Sequence, residues 1–294
     1  MTYFLSLLAD GVLSGAIYGV IALAFVVVYK ASRVVNFALG EWAMFGSRLT
    51  AAGWHGAGLG LACGLAAAMA GMVALALVFN RLVLARLIGR PLIALVMVTL
   101  GLGALMRGLA PVLFAGIPAE IPLPIPVAML ELGVLVVATD KLAAACIAAI
   151  CIAAVAWFFQ ASRTGLAMRA IADDAGAAMA AGIDIRRHYG IAWAMAGLLC
   201  VIGGTLWTFV TGGGFGVALV GLKVFPIVIL GGLANVPGCI LSAILIGALE
   251  ALATGYLDPH LGGGFGGVAS YLVLIAVLIL RPHGLLGRPA AERV

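Results

Sequence analysis

Polar side chains set inside apolar runs carry most of the chemistry open to this sequence. Asn36-Phe-Ala-Leu-Gly-Glu41 places an amide and a carboxylate just inside one such run. A charged side chain at membrane depth is costly and usually faces a cavity or a partner group. Asn36, Gly40 and Glu41 are therefore expected to line or brace a path for a polar solute, an internal hydrogen-bonding strut being the alternative. Gly40 and Gly46 would admit a break in the helix at that point. Lys223 and Glu250 fall in neighbouring apolar runs joined through Gly231-Gly-Leu-Ala-Asn-Val-Pro-Gly238. Whether they pair depends on where that turn falls. Between Arg163 and Arg187 lies a polar island with four arginines and three aspartates. It is too polar to span a bilayer and too rich in alanine for a floppy loop, which predicts a short surface helix that docks something.

Other chemistries lack their residues. There is no GxxxxGK[ST], HExxH or GxSxG motif, so nucleotide, zinc-protease and serine-hydrolase sites are not expected. Gly212-Gly-Gly-Phe-Gly216 and Gly262-Gly-Gly-Phe-Gly266 carry no phosphate-loop lysine and read as helix-end glycines. The five cysteines sit in apolar runs without a CxxC pair, and four histidines (His55, His188, His260, His283) are scattered. No disulfide framework, metal site or cofactor is expected, and an enzyme is disfavoured.

The elements that must position these residues are membrane helices. Of 294 residues, 65% are hydrophobic and only 9% charged, and mean hydropathy is +1.26. No water-soluble fold of this size could hide so much apolar surface, and the runs are too long and continuous for a barrel. The expected class is an all-α polytopic membrane protein, one domain over 1–294, with about nine spans (eight to ten). They fall near Leu5–Tyr29, Asn36–Trp54, Leu59–Leu82, Pro91–Ala115, Leu142–Gln160, Tyr189–Val210, Leu219–Leu233, Pro237–Leu257 and Phe265–Leu280. The short span with Pro226 is expected to be broken or re-entrant. The N-terminus has no basic leader and reads as a retained first span, in which Gly11, Gly15 and Gly19 repeat at the spacing for close helix contact, within the chain or to another subunit.

Orientation follows from where cations collect. Placing the island in the cytoplasm gathers Lys30, Arg33, Arg81, Arg86, Arg90, Arg163, Arg169, Arg186, Arg187, Arg281, Arg288 and Arg293 on one side, 12 of the 16 basic residues. The N-terminus is then expected outside and the C-terminus inside. The net charge of +5 needs no nucleic-acid partner. The outer loops are Gly116-Ile-Pro-Ala-Glu-Ile-Pro-Leu-Pro-Ile-Pro126, whose prolines favour an extended polyproline-like segment, and Asp258-Pro-His-Leu-Gly-Gly-Gly264. They predict modest irregular structure on that face.

Four stretches together resemble a known family. They are Asn36-Phe-Ala-x-Gly-Glu41, Arg163-Thr-Gly-x-Ala-x-Arg-Ala-Ile-Ala-Asp-Asp174 with the following Ala-x-x-x-Gly-Ile, Gly231-Gly with Pro237-Gly238, and the terminal Arg281-Pro-x-Gly-Leu-x-Gly287. They look like the LivH-type permeases, membrane subunits of branched-chain amino-acid ABC importers. The resemblance implies a pore shared with a second, LivM-type permease in the bacterial inner membrane, two cytoplasmic ATPase subunits and a periplasmic solute-binding protein. It implies that 163–188 is the coupling loop, with Ala175–Gly182 the helix that sits in an ATPase groove. Arg169, Asp173, Asp174, Ala175, Ala178 and Gly182 become the expected coupling residues. Many members carry His where this chain has Leu39, a departure that leaves the solute open, since relatives also import urea, short amides and aromatic acids. An ion-coupled secondary transporter is the competing reading; it would carry more buried ionisable groups and inverted repeats.

Overall fold

The computed structural model describes residues 2–58, 60–87, 90–121, 125–132 and 135–281. It is an all-α membrane protein: six helices are long and apolar enough to cross a bilayer, and shorter apolar helices accompany them. Helix α1 (Thr2–Ser32) is the central post. Its run from Ile17 to Val28 is buried almost without interruption, because α6 (Thr139–Ala161), α9 (Ile185–Thr211), α10 (Val220–Gly231) and α11 (Val236–Tyr256) all pack on it. A helix apolar on every side is what such burial requires.

The glycine repeat in α1 serves a contact within the chain. A methyl at Gly11 would lie 2.6 Å from the Gly247 carbonyl oxygen, and one at Gly15 would lie 2.6 Å from that of Ala243. Helices α1 and α11 therefore touch backbone to backbone, the small-residue packing that replaces hydrophobic driving force in lipid. The far end of the same seam is tied by Tyr3, whose hydroxyl donates to the Gly255 carbonyl.

Around this core lie α2 (Leu39–Ala51, ending in a π turn Ala52–Gly56), α3 (Gly60–Phe79, continued by a π turn Asn80–Leu84 and the single turn α4, Ala85–Leu87) and α5 (Leu92–Leu113). Helix α2 is sandwiched between α3 and α9, whereas α5 touches mainly α2 and leaves most of its apolar surface uncovered. The connection after α5 is non-helical over 116–121 and 125–128; Pro122, Leu123 and Pro124 lie outside the described residues. It then forms an antiparallel hairpin, β1 (Met129–Leu132) with β2 (Leu135–Ala138), Met129 opposite Ala138. The hairpin adds a short ordered element to the modest irregular structure expected on this face. The hairpin strands are only four residues each and apolar except for Glu131, too short to show the sustained alternation that signals a strand.

The polar island forms two helices rather than one, α7 (Arg163–Asp173) and α8 (Ala175–Ala180), and Arg186 and Arg187 belong to the first turn of α9. Each start is capped by a side-chain oxygen: Ser162 accepts from Gly165 N–H, Asp174 from Gly176 and Ala177 N–H, and Asp184 from Arg187 N–H. The segment before α10 is a 3-10 turn, Phe215–Leu219, whereas α10 runs unbroken through Pro226, so the irregularity expected of this span lies ahead of the helix and not at the proline. The Asp258 loop contains one helical turn, α12 (Asp258–Leu261), before α13 (Phe265–Leu280). Of the terminal Arg-Pro-x-Gly motif only Arg281 is described; the rest, with Arg288 and Arg293, lies outside the described residues.

Candidate functional site

Two groups of predicted residues occupy separate places, one at mid-bundle and one at the end where α7 and α8 lie. The mid-bundle group begins where α1 stops. Arg33 adopts a left-handed backbone (φ 56°), its N–H donating to the Tyr29 carbonyl at 2.8 Å. A non-glycine residue there is uncommon and strained. Its guanidinium is anchored on the Ala172 carbonyl of α7 at 2.7 Å and lies over the Tyr29 ring. The chain then runs non-helically over 34–38 to reach Leu39.

Non-helical backbone at membrane depth needs internal partners, and this segment has them. Asn36 is fully buried and its Oδ1 accepts from the Ala38 N–H at 3.0 Å. Thr99 of α5 accepts from the Phe37 N–H at 3.4 Å and reaches the Val35 carbonyl at 3.3 Å. The Asn36 Nδ2 is buried without a hydrogen-bond partner. Asn36 therefore stitches the break instead of lining an open surface.

The break falls before α2, not at Gly40 or Gly46, which corrects the expected role of both glycines. They lie within α2, where they permit close crossings. Gly40 meets Ala218 and Gly221 ahead of and within α10, a methyl on it lying 2.9 Å from the Gly221 Cα. A methyl on Gly46 would lie 2.7 Å from the Val201 Cα in α9. Glu41, in the first turn of α2, is 4% exposed and forms an ion pair with Arg107 of α5. Sequence reasoning missed Arg107 because its partner is 66 residues away. Its only sequence signal is a lone cation inside an apolar run. Gly103, one turn before it, makes room: a methyl there would touch the Glu41 carboxyl carbon and Ala38, each at 3.4 Å. Gly103 lies about 16 Å along α5 from Leu92 at 1.5 Å per residue, near the middle of that helix.

A second polar cluster lies between α1, α10 and α11. Lys223 pairs with Glu250, donates to the Tyr18 hydroxyl at 3.1 Å, and sits over the Tyr18 and Trp207 rings. Next to it a cavity of about 190 Å³ is lined by Asp10, Ser14, Tyr18, Glu250 and Thr254 among others. Asp10 in turn pairs with Lys141 at 2.5 Å. Nearer the hairpin end, Arg48 is 3% exposed and donates to the carbonyls of Phe114 and Ile117, between the rings of Phe114 and Phe215. No group of His, Cys, Asp and Glu among the described residues could hold a metal ion.

At the other place, Ala178 packs inward with Ile171 and Ile185 in a small cluster of its own, against Ile183 and Tyr189. The outer surface of α8 is instead Gly176, Ala177, Met179 and Ala180, with Met179 59% exposed. Asp173 is exposed, Arg169 half-buried with its Nε enclosed, and Asp174 engaged as the cap of α8. Ala175 opens α8, and Gly182 follows it in left-handed conformation (φ 83°) with open space around it. The island and the break are physically linked, since Arg33 holds the last turn of α7.

The chain as a whole is similar to known proteins. The family described as the permease component of the branched-chain amino acid transport system matches residues 7–281. The high-affinity branched-chain amino acid transport system permease protein LivH of Escherichia coli K12 is 28% identical, covering 99% of this chain and 98% of its own. The permease protein BraD of Pseudomonas aeruginosa is 34% identical over 47% of this chain and 44% of its own. A probable branched-chain amino acid transport permease protein LivH of Methanocaldococcus jannaschii is 31% identical over 43% and 41%. No solved structure matches.

Proposed function

The chain belongs to the family of permease components of branched-chain amino acid transport systems, and from that premise we propose that it is the membrane subunit of an ATP-binding-cassette importer. Its cargo in this reading is a branched-chain amino acid or a related small polar solute. One permease domain spans 1–294, shares its pore with a second, LivM-type permease, and is fed by a periplasmic binding protein. Two cytoplasmic ATPase subunits supply the energy, so the chain itself is no enzyme. The N-terminus lies outside and the C-terminus inside.

The observation that carries this reading beyond family membership is the α7–α8 pair. A short, capped, polar two-helix element with its own small core has no role in crossing a bilayer, and it turns Met179 outward. It is built as a docking knob, and 163–188 is the coupling loop. Its link to the broken segment through Arg33 and Ala172 offers a route by which nucleotide-driven movement reaches mid-membrane. Asn36, Gly40 and Glu41 then brace the solute path from within the bundle, as stitch, crossing point and buried charge. Arg169, Asp173 and Asp174 flank the docking surface, while Ala175, Ala178 and Gly182 shape it.

Met179→Glu places a charge on the proposed contact while leaving the inward face of α8 intact. Copurified ATPase per permease is expected to fall severalfold with membrane insertion unchanged. Full ATPase recovery and full uptake in that variant would remove the docking assignment. One observation favours a second reading: the Lys223–Glu250–Tyr18 cluster with Asp10 and Lys141 is the kind of ionisable network that ion-coupled carriers use. Concentrative uptake by the purified chain alone, driven by an ion gradient in liposomes, would establish that reading in place of the importer.

A further inference from the structure

We propose that Arg107 is the specificity-determining residue that receives the carboxylate of the transported solute, with Glu41 as the group that positions it. The inference rests on the path reading above and adds to it a residue and a ligand chemistry. Its starting point is an asymmetry within the ion pair. The Glu41 side chain is 5% exposed, whereas that of Arg107 is 71% exposed. A guanidinium has five N–H donors in a planar fork, and only one of its nitrogens is engaged on Glu41. With the side chain this exposed, the remaining donors are open to a ligand.

An arginine facing lipid minimises its cost by stretching toward the nearer membrane surface. For Arg107 the nearer end of its helix is Leu113, the end of α5. The side chain runs the other way. It reaches back over Gly103, where the Glu41 carboxyl group lies, one turn deeper than its own Cα. Long helical side chains lean naturally in this direction, and the buried carboxylate holds it there. A cation drawn deeper than its own anchor and left open outward is placed for a ligand in a polar space.

The surroundings suit a small amino acid. Methyl groups at Gly101 and Gly108 would meet nothing within 4 Å, so the helix surface beside Arg107 is bare. Leu100, two turns deeper on the same face, is 45% exposed and offers apolar surface to a solute side chain. The guanidinium fork matches a carboxylate in two-pronged geometry. Because Glu41 and Arg107 together carry no net charge, the site suits a zwitterion, which also carries none, better than a net anion.

The test uses the complete importer, with second permease, ATPases and binding protein, and L-leucine as the probe. Arg107→Gln is expected to lower leucine moved per ATP hydrolysed by at least about tenfold, the loss of one charge-assisted hydrogen-bond pair. Arg107→Lys should restore part of it. The double variant Glu41→Gln/Arg107→Gln, which leaves no lone buried carboxylate, should assemble yet stay defective. Uptake by the double variant equal to that of the unaltered protein would make the pair a structural strut and overturn the proposal. So would loss of the second permease on purification of Arg107→Gln, which would mean that a partner carboxylate covers the arginine. A separate measurement isolates the underlying reading: Gly108→Cys in a background freed of the five native cysteines, challenged with a small water-soluble thiol reagent. No reaction in any nucleotide state would remove the path itself. Reaction that leucine does not slow would overturn the Arg107 proposal alone, and reaction slowed by leucine would support both.

Discussion

Each charged side chain inside the bundle answers the same problem, the cost of charge in a medium without water. Glu41 and Lys223 solve it by pairing, Arg48 by a carbonyl pair and two aromatic rings. The Lys223–Glu250 pair is the most enclosed on both sides, and Tyr18 adds a third polar group. Removing one member leaves the other desolvated without a counter-charge, which typically costs about 3–5 kcal/mol in buried pairs. Glu250→Ala and Lys223→Met are each expected to destabilise the purified protein by a few kcal/mol on that basis. Lys223→Met/Glu250→Gln should recover most of the loss, giving a large coupling energy in a double-mutant cycle read by thermal unfolding. Additive losses would mean that the pair contributes nothing beyond its separate contacts.

At the scale of elements, the break between α1 and α2 is held by a few hydrogen bonds. Thr99 on α5 satisfies the Phe37 N–H, and Arg33 ties the start of the break to α7. Thr99→Val keeps the shape and removes the oxygen, orphaning a part-buried backbone donor at a cost of about 1 kcal/mol, the low end of the range for a fully buried one. The expected result is a lower unfolding temperature with assembly intact, and Thr99→Ser should restore it. If Thr99→Val is as stable as the unaltered chain, the break draws its order from packing alone. The α1–α11 seam is a harder constraint. Gly15→Leu must push two backbones apart, since even a methyl there would lie 2.6 Å from a carbonyl oxygen. Loss of folded protein is expected, measured as the monodisperse fraction after detergent extraction. Gly101→Ala, where a methyl meets open space, is the control expected to fold.

For the whole molecule the decisive contrast is between a buried centre and an uncovered flank. The apolar stretch of α1 is 78% buried, that of α5 only 22%. A single chain therefore presents α5, with its one outward guanidinium, to whatever lies beside it, while α7 and α8 project from one end. The orientation proposed above makes a direct prediction. Cysteine at Met179 should react with a membrane-impermeant reagent only in inverted vesicles, and cysteine at Ile125 only in intact spheroplasts. Both positions are exposed, so a reversed pattern would invert the topology and place the docking knob on the wrong side for an ATPase.

Helix positions were legible in the residues themselves. All nine expected spans have helical counterparts, from Leu5–Tyr29 within α1 to Phe265–Leu280 as α13, because an apolar run is a local property of the chain, and six of them are long enough to cross a bilayer. Helix ends were legible for the same reason: Gly212 in left-handed conformation stops α9, and Asn235 caps α11 ahead of Pro237. The polar character of 163–187 and the cost of Glu41 were also readable residue by residue. What sequence could not supply was who meets whom. The pairing of Glu41 with Arg107, of Lys223 with Glu250, and the inward turn of Ala178 that leaves Met179 outside depend on how helices cross. The break falls before Leu39, and Gly40 inside α2 serves a close crossing with Gly221 of α10. Helices in lipid lack a hydrophobic force to sort inner from outer faces. Polar partners and backbone approach at glycine decide the packing, and those are properties of two chain segments at once.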